Sequence, residues 1–236
     1  PYSPEGSKKE QVAEMFNAIS PKYDALNRIL SVGIDQSWRR KTVREIRATG
    51  ATQILDVATG TADLALALAD GIPGSKVVGV DISAGMLDVG RQKVRARRRD
   101  DRVRLDLGDG EQLPYGDAEF GAITVAFGVR NFEHLEQGLR DMHRVLQPGG
   151  TLAVLEFSQP TSWPFRPLYL FYFNNILPRI GRLISKDASA YTYLPDSVQA
   201  FPYGEAFAAK LREAGFRTVR IRPLTLGIAS LYVATK

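Results

Sequence analysis

From residue 52 onward the chain alternates short runs rich in Val, Ile and Leu with longer stretches of helical spacing. No other feature constrains the fold as much. The strand-like runs are 53–57, 76–81, 103–107, 121–127 and 151–157, and the helical stretches include 61–69, 84–98 and 135–146. Apolar strands separated by helices make a parallel sheet covered on both faces. Right-handed crossovers leave few arrangements for such a sheet, and a doubly wound α/β sheet is the first choice. Near the end, runs 216–223 and 228–235 are joined by the short stretch 224–227. They read as an antiparallel pair at one edge.

The flanking regions differ. Ser7 and Glu10 have the spacing of a capping box, and Val12, Met15, Phe16 and Ile19 follow at helical spacing. Pro21 restarts the chain, Tyr23, Leu26, Ile29 and Leu30 run to Gly33, and a third helix from about Ser37 carries Trp38 and Ile46. The expected organisation is a helical cap over 1–50 and a main domain over 51–236, with an insert at 158–202. In the insert Trp163, Phe165, Leu168, Tyr169, Leu170 and Phe171 crowd together, with Arg166, Arg179 and Arg182 among the apolar residues. That stretch is too polar and too broken to cross a bilayer. It suits an apolar lid or an interfacial surface with Arg at its rim, and equally a helix pair packed on the core.

Composition closes off several chemistries. The 236 residues include no Cys, which removes disulfides, Cys-ligated zinc and thiol catalysis. With only His134 and His143, a three-histidine metal centre is excluded, and no metal is expected. No run reaches the roughly 20 apolar residues of a bilayer span. The opening residues carry no apolar signal core, so the expected location is cytoplasmic. The net charge of +5 keeps a nucleic acid or an anionic membrane open as partner.

The strand ends carry the polar residues. Run 53–57 leads through Ala58, Thr59, Gly60 and Thr61 into a helix, a geometry that accepts an anion on backbone N–H groups. A dinucleotide fingerprint needs more glycines. One close approach at Gly60 and the Thr61 hydroxyl suit a smaller anion, such as an amino-acid carboxylate. Asp81 ends the second strand, where an acid accepts from ribose hydroxyls; a helix-capping Asp is the plainer alternative. Asp109 and Gly110 follow the third strand, where an acid accepts from an adenine amino group; an ordinary polar turn is the alternative. The fourth run ends in Ala126-Phe127-Gly128-Val129-Arg130-Asn131. A carboxylate-binding turn, a ribose acid and an adenine acid describe S-adenosylmethionine better than NAD or ATP, and the P-loop lysine pattern is absent.

Three stretches resemble a known family. Tyr23 to Ser31 with Trp38, the Phe127-to-Asn131 run, and Arg144 to Ser158 with its Pro148-Gly149-Gly150 turn are similar to the quinone C-methyltransferases of menaquinone and ubiquinone biosynthesis. The resemblance runs from about Glu10 to Thr235. Leu26, Asp35 and Gln147 depart from the family's usual Met, His and Lys. Ala126 stands where some members have a cofactor-contacting Ser, which leaves a backbone contact there.

The resemblance implies a class I S-adenosylmethionine-dependent methyltransferase fold, Rossmann-like, with a helical cap. It implies Gly60 and Thr61 at the methionine end, Asp81 at the ribose, and Asp109 with Gly110 at the adenine. The implied reaction is methylation of a ring carbon on a polyprenylated hydroquinone, with demethylmenaquinol favoured over the methoxy-benzoquinol. A non-catalytic partner in a quinone-biosynthesis assembly is the alternative. Arg130 is expected to stabilise the developing phenolate, Asn131 to orient the ring or a water, and Tyr23 to contact the quinol from the cap. The alternatives are a salt bridge closing the crevice for Arg130 and cap packing for Tyr23. His134 and His143 read as surface or helix-face residues. A nucleic-acid methyltransferase is disfavoured: Asp100 and Asp101 dilute the Arg95–Arg99 cluster, and no Asn/Asp-Pro-Pro-aromatic turn follows the fourth strand. Peripheral contact with an anionic membrane and a homodimer are left open.

Overall fold

The computed structural model describes residues 7–24, 28, 31, 33–160, 163, 165–171 and 189–236. Within them a seven-stranded sheet is built from β1 (Gln53–Val57), β2 (Lys76–Asp81), β3 (Val103–Leu107), β4 (Phe120–Ala126), β5 (Leu146–Phe157), β6 (Val219–Leu224) and β7 (Ala229–Thr235). The strand order is β3-β2-β1-β4-β5-β7-β6. Strands β1 to β5 are parallel, and β7 runs antiparallel between β5 and β6. The order reverses between β1 and β4, and the crevice outside the strand carboxyl ends opens at such a point.

The helices are α1 (Lys8–Ile19), α2 (Ile34–Arg47), α3 (Asp63–Gly71), α4 (Ala84–Ala96), α5 (Leu135–Val145), α6 (Phe165–Phe171), α7 (Ser189–Ala200) and α8 (Glu205–Glu213). Successive strand residues face opposite sides of the sheet, so the two faces hold separate cores. Ile54, Ala153 and Leu155 pack with Trp38 and Ile46 of α2, Leu66 and Leu68 of α3 and Leu87 of α4. Leu55, Val57, Leu152 and Val154 pack with Leu139 and Met142 of α5 and Phe207 of α8. Burial on both faces is why these strands read as unbroken apolar runs.

At the amino end, Ser7 and Glu10 form the expected capping box, with Glu10 N–H on Ser7 Oγ at 3.2 Å and Ser7 N–H on Glu10 Oε2 at 2.9 Å. Helix α2 begins at Ile34 rather than near Ser37, because Gly33 at φ 75° turns the chain into it. Its Trp38 donates from Nε1 to Thr225 Oγ1 at 2.8 Å and packs against Phe127 and Phe157.

Several boundaries differ from the pattern in the sequence, and two of them have a clear local cause. Strand β4 stops at Ala126 because Phe127 adopts φ 59°, which no pleated strand tolerates. Leu146 belongs to β5 rather than to the preceding helix, pairing with Phe120 ahead of a register shift. In the insert, Trp163 is 85% exposed and Phe171 is also exposed, whereas Tyr169 is buried. Leu26, Ile29, Leu30, Arg179 and Arg182 lie outside the described residues.

One buried carboxylate ties the switch point together. Asp56 on β1, 1% exposed, accepts from Thr59 Oγ1 and from Thr124 Oγ1 on β4, each at 2.6 Å. Burial pushes its carboxyl up to about 6, against the hydroxyl bonds that pull it down. The fold therefore favours the protonated acid. The stabilisation is fully present below about pH 4 and is lost as pH rises through about 6, a change on the order of 2 kcal/mol. Asp56→Asn keeps partners for both threonines without ionising. Measured by urea unfolding, the variant's stability relative to wild type should rise by about 2 kcal/mol between pH 4 and 7. A difference that stays constant over that range contradicts this reading.

Candidate functional site

The turn after β1 is bent in a way that ordinary residues resist. Ala58, Gly60 and Ala62 have φ of 53°, 56° and 64°, and Phe127 after β4 has 59°. Left-handed backbone at non-glycine residues is costly and collects at functional sites. Here it is held by Asp56 below, by Thr59 N–H on the Val80 carbonyl at 3.0 Å, and by Gly60 N–H on Asp81 Oδ2 at 2.8 Å. Gly128 lies so close to this turn that a Cβ there would sit 2.4 Å from the Ala58 Cβ.

These turns wall a narrow cavity of about 80 Å³. Gly60, Asp81, Asp109, Gly110, Ala126 and Asn131 line it from the sheet side, and Lys9, Val12, Phe16 and Tyr23 line it from the cap. All of the expected site residues except Thr61 and Arg130 are thus brought to one place. Asp81 uses one oxygen on Gly60 N–H and the other on Ser83 N–H at 2.8 Å. The carboxylate also takes the Ile82 N–H, and of its roughly four acceptor positions it keeps capacity for a ligand hydroxyl. Burial raises the Asp81 carboxyl, and the backbone bonds pull against that rise. Ser83, not Asp81, caps α4, with its Oγ accepting from Met86 N–H at 3.3 Å. Gly60 has only Met86 Cε near the place of a Cβ, at 3.6 Å, so its backbone stays open to the cavity. Gly110 allows Phe132 and Val57 to pack where a Cβ would meet both at 2.9 Å.

Asp109 already has a cation. Lys9 Nζ of α1 sits 2.5 Å from Asp109 Oδ2 and 3.7 Å from Glu111 Oε2, while Asp109 Oδ1 accepts from Glu111 N–H at 2.8 Å. Glu111 is itself buried and takes the backbone N–H groups of Glu133 and His134 at 2.7 and 3.1 Å, which fixes the start of α5. His134 is exposed, and the His143 ring packs edge-on to Phe216 at 5.1 Å, as their surface and helix-face readings require.

Thr61 does not face the cavity. Its hydroxyl donates to Asp24 Oδ1 at 2.5 Å, and Lys93 Nζ reaches Asp24 Oδ2 at 2.8 Å, Thr61 Oγ1 at 3.1 Å and Asp63. This cluster latches the Tyr23-Asp24 turn onto α3 and α4 and sets Tyr23 edge-on to Phe16 at the cavity wall. A second latch joins Asn17 Oδ1 to Ser83 Oγ at 2.7 Å and to Gly85 N–H at 2.8 Å. The sequence offered Asp24 only as part of a motif and gave no sign of Lys93 or Asn17.

Arg130 departs furthest from expectation. Its side chain is 6% exposed and pairs through Nη1 with Glu156 Oε1 at 2.9 Å; Glu156 is fully buried. The same Nη1 donates to the Phe127 carbonyl, and the guanidinium lies 5.4 Å from the Phe157 ring centre. The ion pair that closes the crevice is therefore the observed arrangement; Arg130 lines the adjoining larger cavity, and its Nε is buried without a hydrogen-bond partner among the described residues. Glu156 went unremarked in the sequence because it sits inside a strand. Asn131 remains at the wall, its Oδ1 accepting from Tyr193 of α7 at 3.1 Å. A larger cavity of about 670 Å³ adjoins the first. It shares Val12 and Phe132 with it and is otherwise walled by α1, the turn after β4, and α7. No group of three or more His, Asp or Glu among the described residues could hold a metal.

Comparison with known proteins agrees on one family. The ubiE/COQ5 methyltransferase family matches residues 5–236. A demethylmenaquinone methyltransferase of Deinococcus radiodurans is 48% identical over 236 residues, covering 100% of this chain and 97% of that protein. A ubiquinone/menaquinone biosynthesis C-methyltransferase UbiE of a Geobacter species is 47% identical over 230 residues, 97% of each chain. Among solved structures, a putative S-adenosyl-L-methionine-dependent methyltransferase of Methanococcus maripaludis superposes with a TM-score of 0.61 at 18% identity, covering 99% of this chain and 96% of that one. That likeness speaks to the fold.

The buried ion pair yields a prediction. Arg130→Ala leaves Glu156 buried without its cation and should lower unfolding stability by about 3–5 kcal/mol. Adding Glu156→Gln should recover at least half of that loss in urea denaturation. Equal stability of the single and double variants contradicts the pairing.

Proposed function

The chain belongs to the ubiE/COQ5 methyltransferase family, so its reaction is S-adenosylmethionine-dependent C-methylation in menaquinone or ubiquinone biosynthesis, and we propose that the acceptor is a polyprenylated hydroquinone, demethylmenaquinol. The observation that carries the site reading is the convergence of Gly60, Asp81, Asp109 and Asn131 on one crevice, with a larger and mainly apolar cavity beside it. The relatives at 45% and 48% identity that bear the name demethylmenaquinone methyltransferase support the naphthoquinol.

The residues present fit the cofactor. Asp81 has lone pairs for ribose hydroxyls, Gly60 offers open backbone, Asp109 and Gly110 frame the adenine position, and Ala126 offers its backbone. When bound, S-adenosylmethionine supplies a sulfonium methyl: the C–S electrons stay on sulfur, ring π electrons form the new C–C bond, and the ring proton leaves. The crevice is small beside the hundreds of Å³ usual for ligand clefts, so α1 must shift outward and the Lys9–Asp109 pair must open as the cofactor binds. Both lie at a part-exposed edge, where an ion pair is weak enough to part.

The cap over 1–50 then closes the site, with Phe16 and Tyr23 excluding water above the reacting atoms. Val12, Met15, Val129, Leu135 and Phe201 suit the quinol's apolar body. Of the insert over 158–202, α7 covers the larger cavity as a lid. Exposed Trp163 and Phe171 with exposed Arg166 favour peripheral contact with an anionic membrane, where the prenyl tail resides. No helix among the described residues is long and apolar enough to cross a membrane. Arg97 and Arg99, which raised a nucleic-acid partner in the sequence, pair with Asp70 at 3.6 and 2.7 Å.

Two measurements test this reading. Asp81→Ala should weaken S-adenosylmethionine binding about 10- to 100-fold by calorimetry, the scale of hydrogen bonds to a charged group; unchanged affinity contradicts the ribose role. Turnover of demethylmenaquinol and of 2-methoxy-6-polyprenyl-1,4-benzoquinol, side by side on the purified enzyme, should give the higher kcat/KM for the naphthoquinol. The reverse preference overturns the substrate assignment.

A further inference from the structure

The two cavities are joined by one hydrogen bond. Tyr193 lines the larger cavity, Asn131 lines the crevice, and the Tyr193 hydroxyl donates to Asn131 Oδ1 at 3.1 Å. Burial raises the Tyr193 phenol, so it keeps its proton and acts as a donor. With Oδ1 engaged, the amide presents its nitrogen to the other side, where among the described residues Nδ2 makes only a long 3.5 Å contact with the Phe127 carbonyl. The opposite flip would face Oδ1 toward that carbonyl, oxygen against oxygen. An N–H with so weak a partner, at the wall of the crevice, is a ready donor for a ligand oxygen.

A donor is needed there. Methylation of a quinol carbon runs through charge on the neighbouring oxygen; Arg130 commits Nη1 to Glu156 and the Phe127 carbonyl, and its Nε is buried without a hydrogen-bond partner among the described residues. We propose that Tyr193 is a positioning residue for methyl transfer: by holding Asn131 Oδ1 it turns the Asn131 N–H toward the quinol oxygen beside the reacting carbon, so that the developing phenolate meets a neutral donor. This inference rests on the quinol reading of the site. The quinol O–H gives its proton to water, the oxygen's electrons reinforce the ring carbon, and the methyl passes to that carbon while the C–S electrons stay on sulfur. The carbon's own proton then goes to water, and the oxygen takes a proton back from water, for a net release of one. Tyr193 and Asn131 neither gain nor lose a proton. Donors placed in advance where charge develops act without reorganising during the reaction.

The arrangement also makes seating of α7 part of the active site. Tyr193 can hold the amide only when the helix lies against the turn after β4. The charged groups around the pair are Arg130 of that turn, Glu156 of β5, Lys8 of α1, whose Nζ sits on the Phe132 carbonyl at 2.6 Å, and Asp196 of α7. All four are untouched by a change at the Tyr193 hydroxyl.

The test is Tyr193→Phe, which keeps the ring, and Asn131→Asp, which keeps a partner for Tyr193 but has no N–H. In wild-type background, Tyr193→Phe should leave the S-adenosylmethionine affinity within about twofold and lower kcat roughly tenfold. The midpoint of the rising limb of kcat against pH should move up by about one unit, since a phenolate without its donor forms less readily. In the Asn131→Asp background the same change should cost less than about twofold, because the two residues act as one unit. A full tenfold cost in both backgrounds, or a lower kcat with an unmoved pH midpoint, overturns the positioning role and leaves Tyr193 as lid packing. Wild-type protein that methylates no quinol overturns the functional reading itself. Wild-type turnover with an indifferent Tyr193→Phe overturns only this inference.

Discussion

A carboxylate at the sheet's switch point sets the geometry of everything above it. Asp56 accepts two hydroxyls at 2.6 Å, one from its own turn and one from β4. That pulls the carboxyl ends of β1 and β4 into a fixed relation. The left-handed residues Ala58, Ala62 and Phe127 are tolerated because this carboxylate, the Thr59-to-Val80 bond and the Gly60-to-Asp81 bond over-determine the turns. Without that support the strain would relax, and the backbone at Gly60 and Ala126 would no longer frame one crevice.

Charge does the next layer of work. The cap meets the main domain through Lys9 on Asp109 and Lys93 on Asp24, with a neutral hydrogen bond between Asn17 and Ser83 beside them. These contacts are part-exposed and so individually weak, which suits a surface that must part for a ligand and close again. The Arg130–Glu156 pair is the opposite case, buried and permanent. One set of ionic contacts is therefore a latch and the other a strut. The net charge of +5 in the sequence says nothing of that division.

The sequence showed β1, β2 and β3 where their runs begin and end: β1 is buried on both faces, and β3 at the sheet edge alternates buried Val103 and Leu105 with more exposed residues. It placed the end of β4 one residue late at Phe127, the start of β5 five residues late and the start of β6 three residues early. At Phe127 and Leu146, backbone strain and a register shift leave no compositional mark. Within the site, Gly60, Asp81, Asp109 and Asn131 were legible because position at a strand end alone points a residue into the crevice. Thr61 and Arg130 share that position, yet their side chains turn to Asp24 and Glu156. Direction depends on partners 37 and 26 residues away. Tyr193, 62 residues from Asn131, was hidden for the same reason.

In the proposed reaction the crevice above Asp56 delivers a methyl group to a carbon of a quinol ring. Incubation of the purified protein with S-adenosylmethionine carrying a labelled methyl and with demethylmenaquinol reads this directly, by locating the label in the product with NMR. The label is expected as a methyl on the ring carbon, with one labelled methyl per quinol. Label on a quinol oxygen, or no label in the quinol while S-adenosylmethionine still binds, would contradict it.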